Sequence, residues 1–502
     1  MTAILAIDQG TTGSTALVFS QQGEILGRAY SEFTQFYPNP GWVEHDPEEI
    51  WQVSRKVMAQ ALTASGIGRK DLSAIGITNQ RETAVVWDRD TGEPVHRAVV
   101  WQSRQSADIC QRLKADGVEP LIREKTGLLV DPYFSGTKIR WILDQNPEFQ
   151  ERAQDGRLEF GTIDSWLLWK MTGGCAKEGA LHRTDPTNAS RTLLYNIHEQ
   201  GWDEELCSIL DIPLQMLPEV QSSASIFGET GHLEGVPPGI PIAGIAGDQQ
   251  AALFGQGCWE PGQAKNTYGT GCFMLMNMGL QHPISRNGLL TTICCDAQGA
   301  PAYALEGSIF IAGAAVQWLR DELQIIQDVN ETEALARSID GNDGVYLVPA
   351  FAGLGAPHWD MNARGALLGL TRGSGRAHLA RAVLESIAYQ SLDIAEVMQR
   401  DSRIELNELR VDGGASKNDF LMQFQADILD VTVDRPKLVE TTAAGSAYLA
   451  GLTVGTWSSP SELDQIRRTD CRFEPQMDVA QRTALCEGWH KAVNRIRSKP
   501  ED

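Results

Sequence analysis

Short apolar runs separated by tight polar turns open the chain. Residues 4–7 (ILAI) and 16–19 (ALVF) are two such runs, and glycine and threonine are frequent between them. They predict two strands joined by a tight turn, and the pattern extends to a third strand around residues 28–33. A helix is predicted from Pro47, because Asp46 can cap it and apolar residues then recur at helical spacing.

The same alternation of short elements continues along the chain. Residues 74–78 and 83–87 predict strands on either side of a polar group, and residues 240–247 predict a buried strand that ends at Asp248. A closing helix is predicted over residues 485–496, where apolar residues share one face. Alternating strands and helices place the chain in the α/β class.

The second half of the chain repeats this pattern of turns and apolar runs without visible sequence identity to the first half. A polar, glycine-rich turn at residues 266–271 leads into the apolar run 272–276, much as at the start. With 502 residues the chain is too long for one core at roughly 150 residues per domain. The turn-like stretch 255–265 (GQGCWEPGQAK) predicts the boundary, giving domains 1–254 and 255–502.

Composition excludes several classes of function. The net charge is −22 with dispersed Lys and Arg, which disfavours binding to nucleic acid or to an anionic membrane. No apolar run approaches the ~20 residues that span a bilayer, and the N-terminus does not resemble a signal peptide, so we expect a cytoplasmic protein without membrane insertion. Nine cysteines without a C-x-x-C pair predict reduced thiols rather than a disulfide framework or a zinc site.

Three loops have the chemistry to hold a nucleotide. In residues 8–12 (DQGTT), Asp8 offers hard oxygen ligands for Mg²⁺, and the following glycine and threonines offer amide and hydroxyl donors to phosphate. Residues 268–271 (YGTG) offer the same donors, and residues 409–418 place paired glycines before Asn418. Taken singly, each loop also fits an ordinary hairpin or strand-to-helix turn.

The order of the three loops indicates which class of nucleotide-binding protein the chain resembles. The chain has neither a G-x-x-x-x-G-K-[ST] loop nor the protein-kinase catalytic set. A chain that holds a nucleotide with loops in this order, and without a Walker lysine, resembles the actin-like ATPase superfamily, which includes sugar kinases. The resemblance implies two ribonuclease-H-like domains around a nucleotide cleft.

Two polar groups are candidates for binding an acceptor. Arg81 and Glu82 lie between two predicted strands, where they could bind neighbouring hydroxyls, or form a surface ion pair. Asp248 could cap the helix that follows it, could act as a general base that takes a proton from a hydroxyl, or could do both.

The whole chain from residue 4 to about residue 454 resembles the FGGY carbohydrate kinase family. The matching stretches include 76–82 (GITNQRE), 131–138 (DPYFSGTK), 244–255 (GIAGDQQAALFG) and 265–277 (KNTYGTGCFMLMN). They match the members that phosphorylate glycerol. The resemblance implies ATP-dependent formation of sn-glycerol 3-phosphate, the first step of glycerol catabolism.

The resemblance also implies a role for individual residues. The expected glycerol-binding residues are Arg81, Glu82, Tyr133, Asp248 and Gln249, with Trp101 and Phe273 packed against the carbon backbone. Asp248 is the expected base and Asp8 the carboxylate near Mg²⁺. The expected ATP-binding positions are Thr11, Thr12, Gly13, Thr15, Thr270, Gly313, Gln317, Gly414 and Asn418. Family members also suggest a homo-oligomer, either a dimer or a tetramer.

The chain departs from the pattern of its relatives in the phosphate loop. Well-matched members read Thr-Thr-Ser-Ser-Arg where this chain reads Thr-Thr-Gly-Ser-Thr, so a hydroxyl is missing at Gly13 and an arginine at Thr15. We expect the reaction to persist with altered nucleotide affinity. Another sugar or polyol kinase of the family is the nearest alternative function, and a non-catalytic nucleotide-switched protein is an alternative from another class.

Overall fold

The computed structural model describes residues 2–498 of the chain. The α-helices, numbered α1 to α16 in chain order, are Pro47–Ser65, Ala107–Ala115, Glu119–Thr126, Ser135–Leu143, Pro147–Gln154, Ile163–Thr172, Pro186–Ala189, Glu204–Ile209, Asp248–Gly255, Gly313–Asp321, Glu331–Arg337, Arg376–Ser402, Asp419–Leu429, Thr441–Thr453, Pro460–Ile466 and Val479–Ile496. The strands, numbered β1 to β23, are Ala3–Gln9, Gly13–Ser20, Ile25–Glu32, Glu44–His45, Leu72–Asn79, Val85–Asp88, Ala98–Val99, Leu158–Gly161, Arg183–Thr184, Tyr195–Asn196, Gly201–Trp202, Glu219–Val220, Gly228–Glu229, Pro241–Gly247, Ala264–Tyr268, Cys272–Gly279, Leu290–Cys295, Pro301–Ile309, Tyr346–Val348, Ala366–Leu368, Glu408–Asp412, Thr432–Pro436 and Thr469–Phe473.

The described residues form two compact units, and neither unit is one continuous stretch of chain. The first unit contains the residues up to Trp259 together with Thr291–Ala304 and Thr441–Arg467. The second contains Glu260–Leu290, Leu305–Glu440 and the residues from Arg468 onward. The division of the sequence at residues 254 and 255 therefore stays a prediction.

A six-stranded sheet in the order β13-β14-β5-β1-β2-β3 forms the centre of the first unit. β14, β5 and β1 are parallel, whereas β2 and β3 continue from β1 as an antiparallel meander. The predicted opening strands are confirmed. α14 packs closely on the sheet, because a Cβ at Gly76 would lie 2.3 Å from Ser446 O and one at Gly244 would lie 2.5 Å from Ala450 N. Only glycine allows this approach.

The helix predicted from Pro47 is confirmed as α1. Asp46 caps it, since its carboxylate accepts a hydrogen bond from Glu48 N at 2.9 Å. Ile50, Val57 and other apolar residues of α1 are fully buried in the core of the first unit. The predicted closing helix is also confirmed, as α16.

The second large sheet has seven strands in the order β17-β18-β16-β15-β21-β22-β23. β15, β21 and β22 are parallel, and β15 pairs with β16 in antiparallel fashion. Like the first sheet, this sheet has three parallel strands, and its first parallel strand in chain order pairs with the next strand in antiparallel fashion. The α/β class is confirmed.

All nine cysteines are free thiols, and six of them are buried. None of the helices in residues 2–498 is long and apolar enough to cross a membrane.

Candidate active site

Three parallel strands of the first sheet end at one edge, and each leads into residues predicted to act in the site. β1 contains Asp8 near its end, β5 leads into Arg81 and Glu82, and β14 leads into Asp248. Because the carboxyl ends of parallel strands meet at the same edge of a sheet, these distant parts of the chain become neighbours.

Arg81 lies at the centre of the cluster and is buried. Its Nε lies 3.2 Å from Asp248 Oδ1. Its Nη1 donates to Gln250 Oε1 at 3.1 Å, and its Nη2 donates to the Tyr133 hydroxyl at 3.4 Å. The alternative of a surface ion pair is wrong, because the side chains of Arg81 and Glu82 are each only 2% exposed. A guanidinium so buried needs these partners to offset its lost hydration.

Glu82 is held from the other side by Arg191. Arg191 Nε donates to Glu82 Oε1 at 2.6 Å, and the Arg191 side chain is fully buried. The guanidinium also lies over the ring of Tyr133, 5.6 Å from its centroid. Glu82 itself adopts a φ of 60°, a left-handed conformation that is strained for a residue with a Cβ. Sequence reasoning missed Arg191; the available signal was an arginine within a segment of small and apolar residues.

Asp248 is the first residue of α9, and Gly247 occupies the capping position. The interpretation of Asp248 as the cap is therefore wrong, although its Oδ1 accepts a hydrogen bond from the backbone of Gln249 at 2.7 Å. Its side chain is 31% exposed, in contrast to the buried Arg81 and Glu82. A carboxylate that is both fixed by an arginine and open to solvent can accept a proton from a bound hydroxyl.

Tyr133 and Trp101 line the same cluster. Their rings meet edge to face with centroids 5.7 Å apart, and the Trp101 indole N–H donates to Thr11 Oγ1 at 2.9 Å. Lys138, which is fully buried, donates to the carbonyl oxygen of Tyr133. Burial lowers the pKa of Lys138 to about 7. The contact between Trp101 and Thr11 joins the acceptor cluster to the phosphate loop.

The side chains of Gln80 and Gln35 hydrogen-bond to the backbone of the phosphate loop. The side-chain amide of Gln80 donates to Gly10 O at 3.2 Å, and that of Gln35 donates to Thr11 O at 3.1 Å. His45 Nε2 lies 2.8 Å from Gln35 Oε1, and burial lowers the pKa of His45 to about 4. The histidine is therefore neutral near pH 7.

A buried polar network reaches the backbone just before Asp248. Thr187 Oγ1 accepts a hydrogen bond from Gly247 N at 2.8 Å and donates to Asp185 Oδ2 at 2.7 Å. Asn188 joins Asp185 to Asn79, at the end of β5. Burial raises the pKa of Asp185. This network was not found from the sequence, and it fixes the start of α9.

Asp8 lies in β1 directly opposite Thr15 of β2 and is half-buried. Within residues 2–498, no group of three or more His, Cys, Asp or Glu side chains is arranged to hold a metal ion.

The second unit brings several of the predicted ATP-binding residues together. Ala312 N donates to Thr270 O at 2.9 Å, and Gly313 N donates to Gly269 O at 3.0 Å, so the start of α10 is bonded to the turn after β15. Gln317 lies on α10, one turn after Gly313, and is exposed. The third loop packs on the same turn.

Gly413 determines that packing. Its φ is 85°, and a Cβ there would lie 2.5 Å from Tyr268 O. The next residue, Gly414, has open space at its Cβ position. Asn418 caps α13, because its side-chain oxygen accepts a hydrogen bond from Leu421 N at 3.0 Å and so already has a structural partner.

Phe273 lies on β16 in the second unit, paired with Thr267, and its predicted contact with glycerol stays a prediction.

Models of the FGGY family of carbohydrate kinases match residues 3–255 as the N-terminal domain and residues 264–454 as the C-terminal domain. The chain belongs to the FGGY family of carbohydrate kinases. A relative from Alkaliphilus metalliredigens, named glycerol kinase, is 58% identical over 492 residues, covering 98% of this chain and 97% of the relative. One from Shewanella sp. strain ANA-3, with the same name, is 58% identical and 99% of each chain is covered.

Solved structures of two kinases share this fold. Plasmodium falciparum glycerol kinase with ADP superposes with a TM-score of 0.92 at 39% identity, covering 99% of this chain and 98% of that one. Gluconate kinase from Lactobacillus acidophilus has a TM-score of 0.89 at 22% identity, with 99% of each chain covered. At that identity the second likeness concerns the fold alone.

Proposed function

We propose that this protein transfers the γ-phosphoryl group of ATP to glycerol, giving ADP and sn-glycerol 3-phosphate. The observation that carries the proposal is the cluster in which Arg81 Nε lies 3.2 Å from Asp248 Oδ1 beside the Tyr133 hydroxyl. Relatives of nearly equal length that share 58% of the residues are named glycerol kinase. The use of ATP is supported by the Plasmodium falciparum structure, which contains ADP.

The acceptor cluster suits a small polyol. Arg81 donates hydrogen bonds, Glu82 accepts them, and the Tyr133 hydroxyl can do either, so neighbouring hydroxyls find complementary partners. Gln249 adds an amide, and the ring of Trp101 offers an apolar surface to the carbon backbone. A site built from several polar partners rejects acceptors that leave those partners unsatisfied.

Asp248 acts as the base in this proposal. The attacking hydroxyl gives its proton to the Asp248 carboxylate while its oxygen bonds to the γ-phosphorus and the bond to the leaving ADP oxygen breaks. Phosphoryl transfer depends on in-line positioning and charge neutralisation more than on covalent help. Arg81 keeps the carboxylate oriented, since its Nε lies 3.2 Å from Asp248 Oδ1.

The phosphate loop supplies Thr11 and Thr12 to the nucleotide, together with the backbone at Gly13 and Thr15. The resemblance to the family gives an ATP-binding role to Thr270, Gly313, Gln317, Gly414 and Asn418 of the second unit as well, and we include them in the proposal. Asp8 would hold Mg²⁺, because a half-buried carboxylate at a strand end offers the hard oxygen that this ion prefers. The ion would supply positive charge that offsets the negative charge of the phosphates. We further propose a cytoplasmic homo-oligomer, a dimer or a tetramer.

A coupled ADP-release assay with glycerol, dihydroxyacetone, xylulose and gluconate tests the function. We expect the highest activity with glycerol; activity with a sugar or gluconate and none with glycerol would refute the proposal.

The role of Asp248 is tested by Asp248→Asn. We expect a folded protein whose turnover falls by about 10²-fold or more, because the proton acceptor is lost. Glu204→Gln is the matched control, since Glu204 is the first, exposed residue of α8 in the same unit. Normal turnover in Asp248→Asn, or an equal loss in the control, contradicts the assignment.

A further inference from the structure

A row of directly paired residues crosses the phosphate-loop end of the first sheet. Asp8 of β1 is opposite Thr15 of β2, and Thr15 is opposite Tyr30 of β3. Residues directly opposite one another in antiparallel strands project from the same face of the sheet. Tyr30 therefore lies on the face that carries Asp8, two strands away from it.

The ring of Tyr30 reaches over Gly13. A Cβ at Gly13 would lie 2.7 Å from Tyr30 Cε2 and 2.8 Å from the Tyr30 hydroxyl oxygen, and also 2.8 Å from Ser31 O. No side chain fits at position 13 unless these groups move. The space beside the phosphate loop that a side chain at position 13 would occupy is thus filled by a phenol hydroxyl from the neighbouring strand.

That hydroxyl is available for a ligand. Tyr30 is 51% exposed. The hydroxyl donates to Glu32 Oε1 at 3.5 Å, which is long for an O–H···O hydrogen bond and therefore weak. A phosphate oxygen would be a stronger acceptor at normal distance. Because Asp8 and Glu32 bring negative charge to this face, an additional neutral donor helps the loop to hold an anion.

We propose that the Tyr30 hydroxyl is a nucleotide contact of the phosphate loop, donating a hydrogen bond to a phosphate oxygen of bound ATP or ADP. The inference rests on the proposed use of ATP and extends it to a residue outside the loop itself. Gly13 and Tyr30 act as a pair in this arrangement. Gly13 has no side chain, and the Tyr30 hydroxyl lies close to where a side chain at that position would be.

The test is nucleotide binding by the full-length Tyr30→Phe variant, measured by titration calorimetry without glycerol. The substitution keeps the ring over Gly13 and removes only the hydroxyl. We expect the Kd for ATP and for ADP to rise about fivefold, the size of one lost hydrogen bond. The Kd for adenosine, measured by competition, should not change, because adenosine has no phosphate.

Tyr37→Phe is the matched control, since Tyr37 is 69% exposed in the same unit, and we expect it to bind ATP like the wild type. An unchanged Kd for ATP in Tyr30→Phe overturns the inference, and so does an equal rise in the Tyr37 variant or in the Kd for adenosine. Failure of the proposed function would look different from failure of this inference. In that case the wild-type protein would still bind ATP but would release no ADP in the presence of glycerol.

Discussion

Replacing Arg191 by methionine should destabilise the first unit through Glu82. Arg191 is fully buried and donates to Glu82 Oε1 at 2.6 Å, whereas Arg81 Nε lies 3.8 Å from the same oxygen. Methionine fills similar volume beside the rings of Tyr133 and Phe134, so the main loss is the charge partner of a buried carboxylate.

The magnitude follows from the burial of the pair. Removing one partner of a buried ion pair costs about 3–5 kcal/mol, because the remaining buried charge loses its nearest counter-charge. For a unit of about 300 residues, an unfolding entropy of about 0.6 kcal/mol/K converts this loss into a fall in Tm of about 5–8 °C. An exposed arginine should matter far less, by about 1 kcal/mol or below.

Differential scanning calorimetry of four variants tests the reasoning. Arg191→Met should lower the Tm of the first unit by the amount given above, and Glu82→Gln/Arg191→Met should recover part of the loss, because neither buried charge remains. Arg157→Met is the control, since the Arg157 side chain is 55% exposed. Glu82→Gln completes the cycle. A Tm within 1 °C of wild type for Arg191→Met, or a double variant no more stable than it, would refute the account.

Two further predictions concern pH and backbone conformation. Burial raises the pKa of Asp164 to about 7, so between about pH 4 and pH 7 the folded protein holds a proton there that the unfolded chain has lost. The free energy of unfolding should therefore fall as the pH rises through this range, by at most about 1.4 kcal/mol per pH unit. Asp164→Asn should flatten this slope in unfolding measured across pH 4–7, and an unchanged slope would assign it to other groups. Gly413→Ala should lower the Tm of the second unit, since φ is 85° and Tyr268 O blocks the Cβ, at a cost of about 2 kcal/mol. Gly414→Ala is its control, with open space at the Cβ, and equal Tm values for the two variants would contradict the prediction.

The sequence determined the features that depend on residues close together in the chain. The apolar runs of β1 and β2 and the capping residue Asp46 predicted their elements correctly, because strand alternation and helix capping are encoded within a few residues. The order of loops and motifs carried the family assignment. The resemblance to the family also gave Arg81, Glu82 and Asp248 as a set, whereas the local sequence left the environment and the role of each open.

The tertiary structure decided how those residues are held. Arg191 is 109 positions from Glu82, and Asn188 is 109 positions from Asn79, yet each pair is in hydrogen-bond contact. The contact of Tyr30 with Gly13 likewise depends on strand pairing. A local pattern specifies an element and one of its faces, whereas partners across a sheet edge are fixed by which strands become neighbours. That is why the candidate residues were predictable and their supports were not.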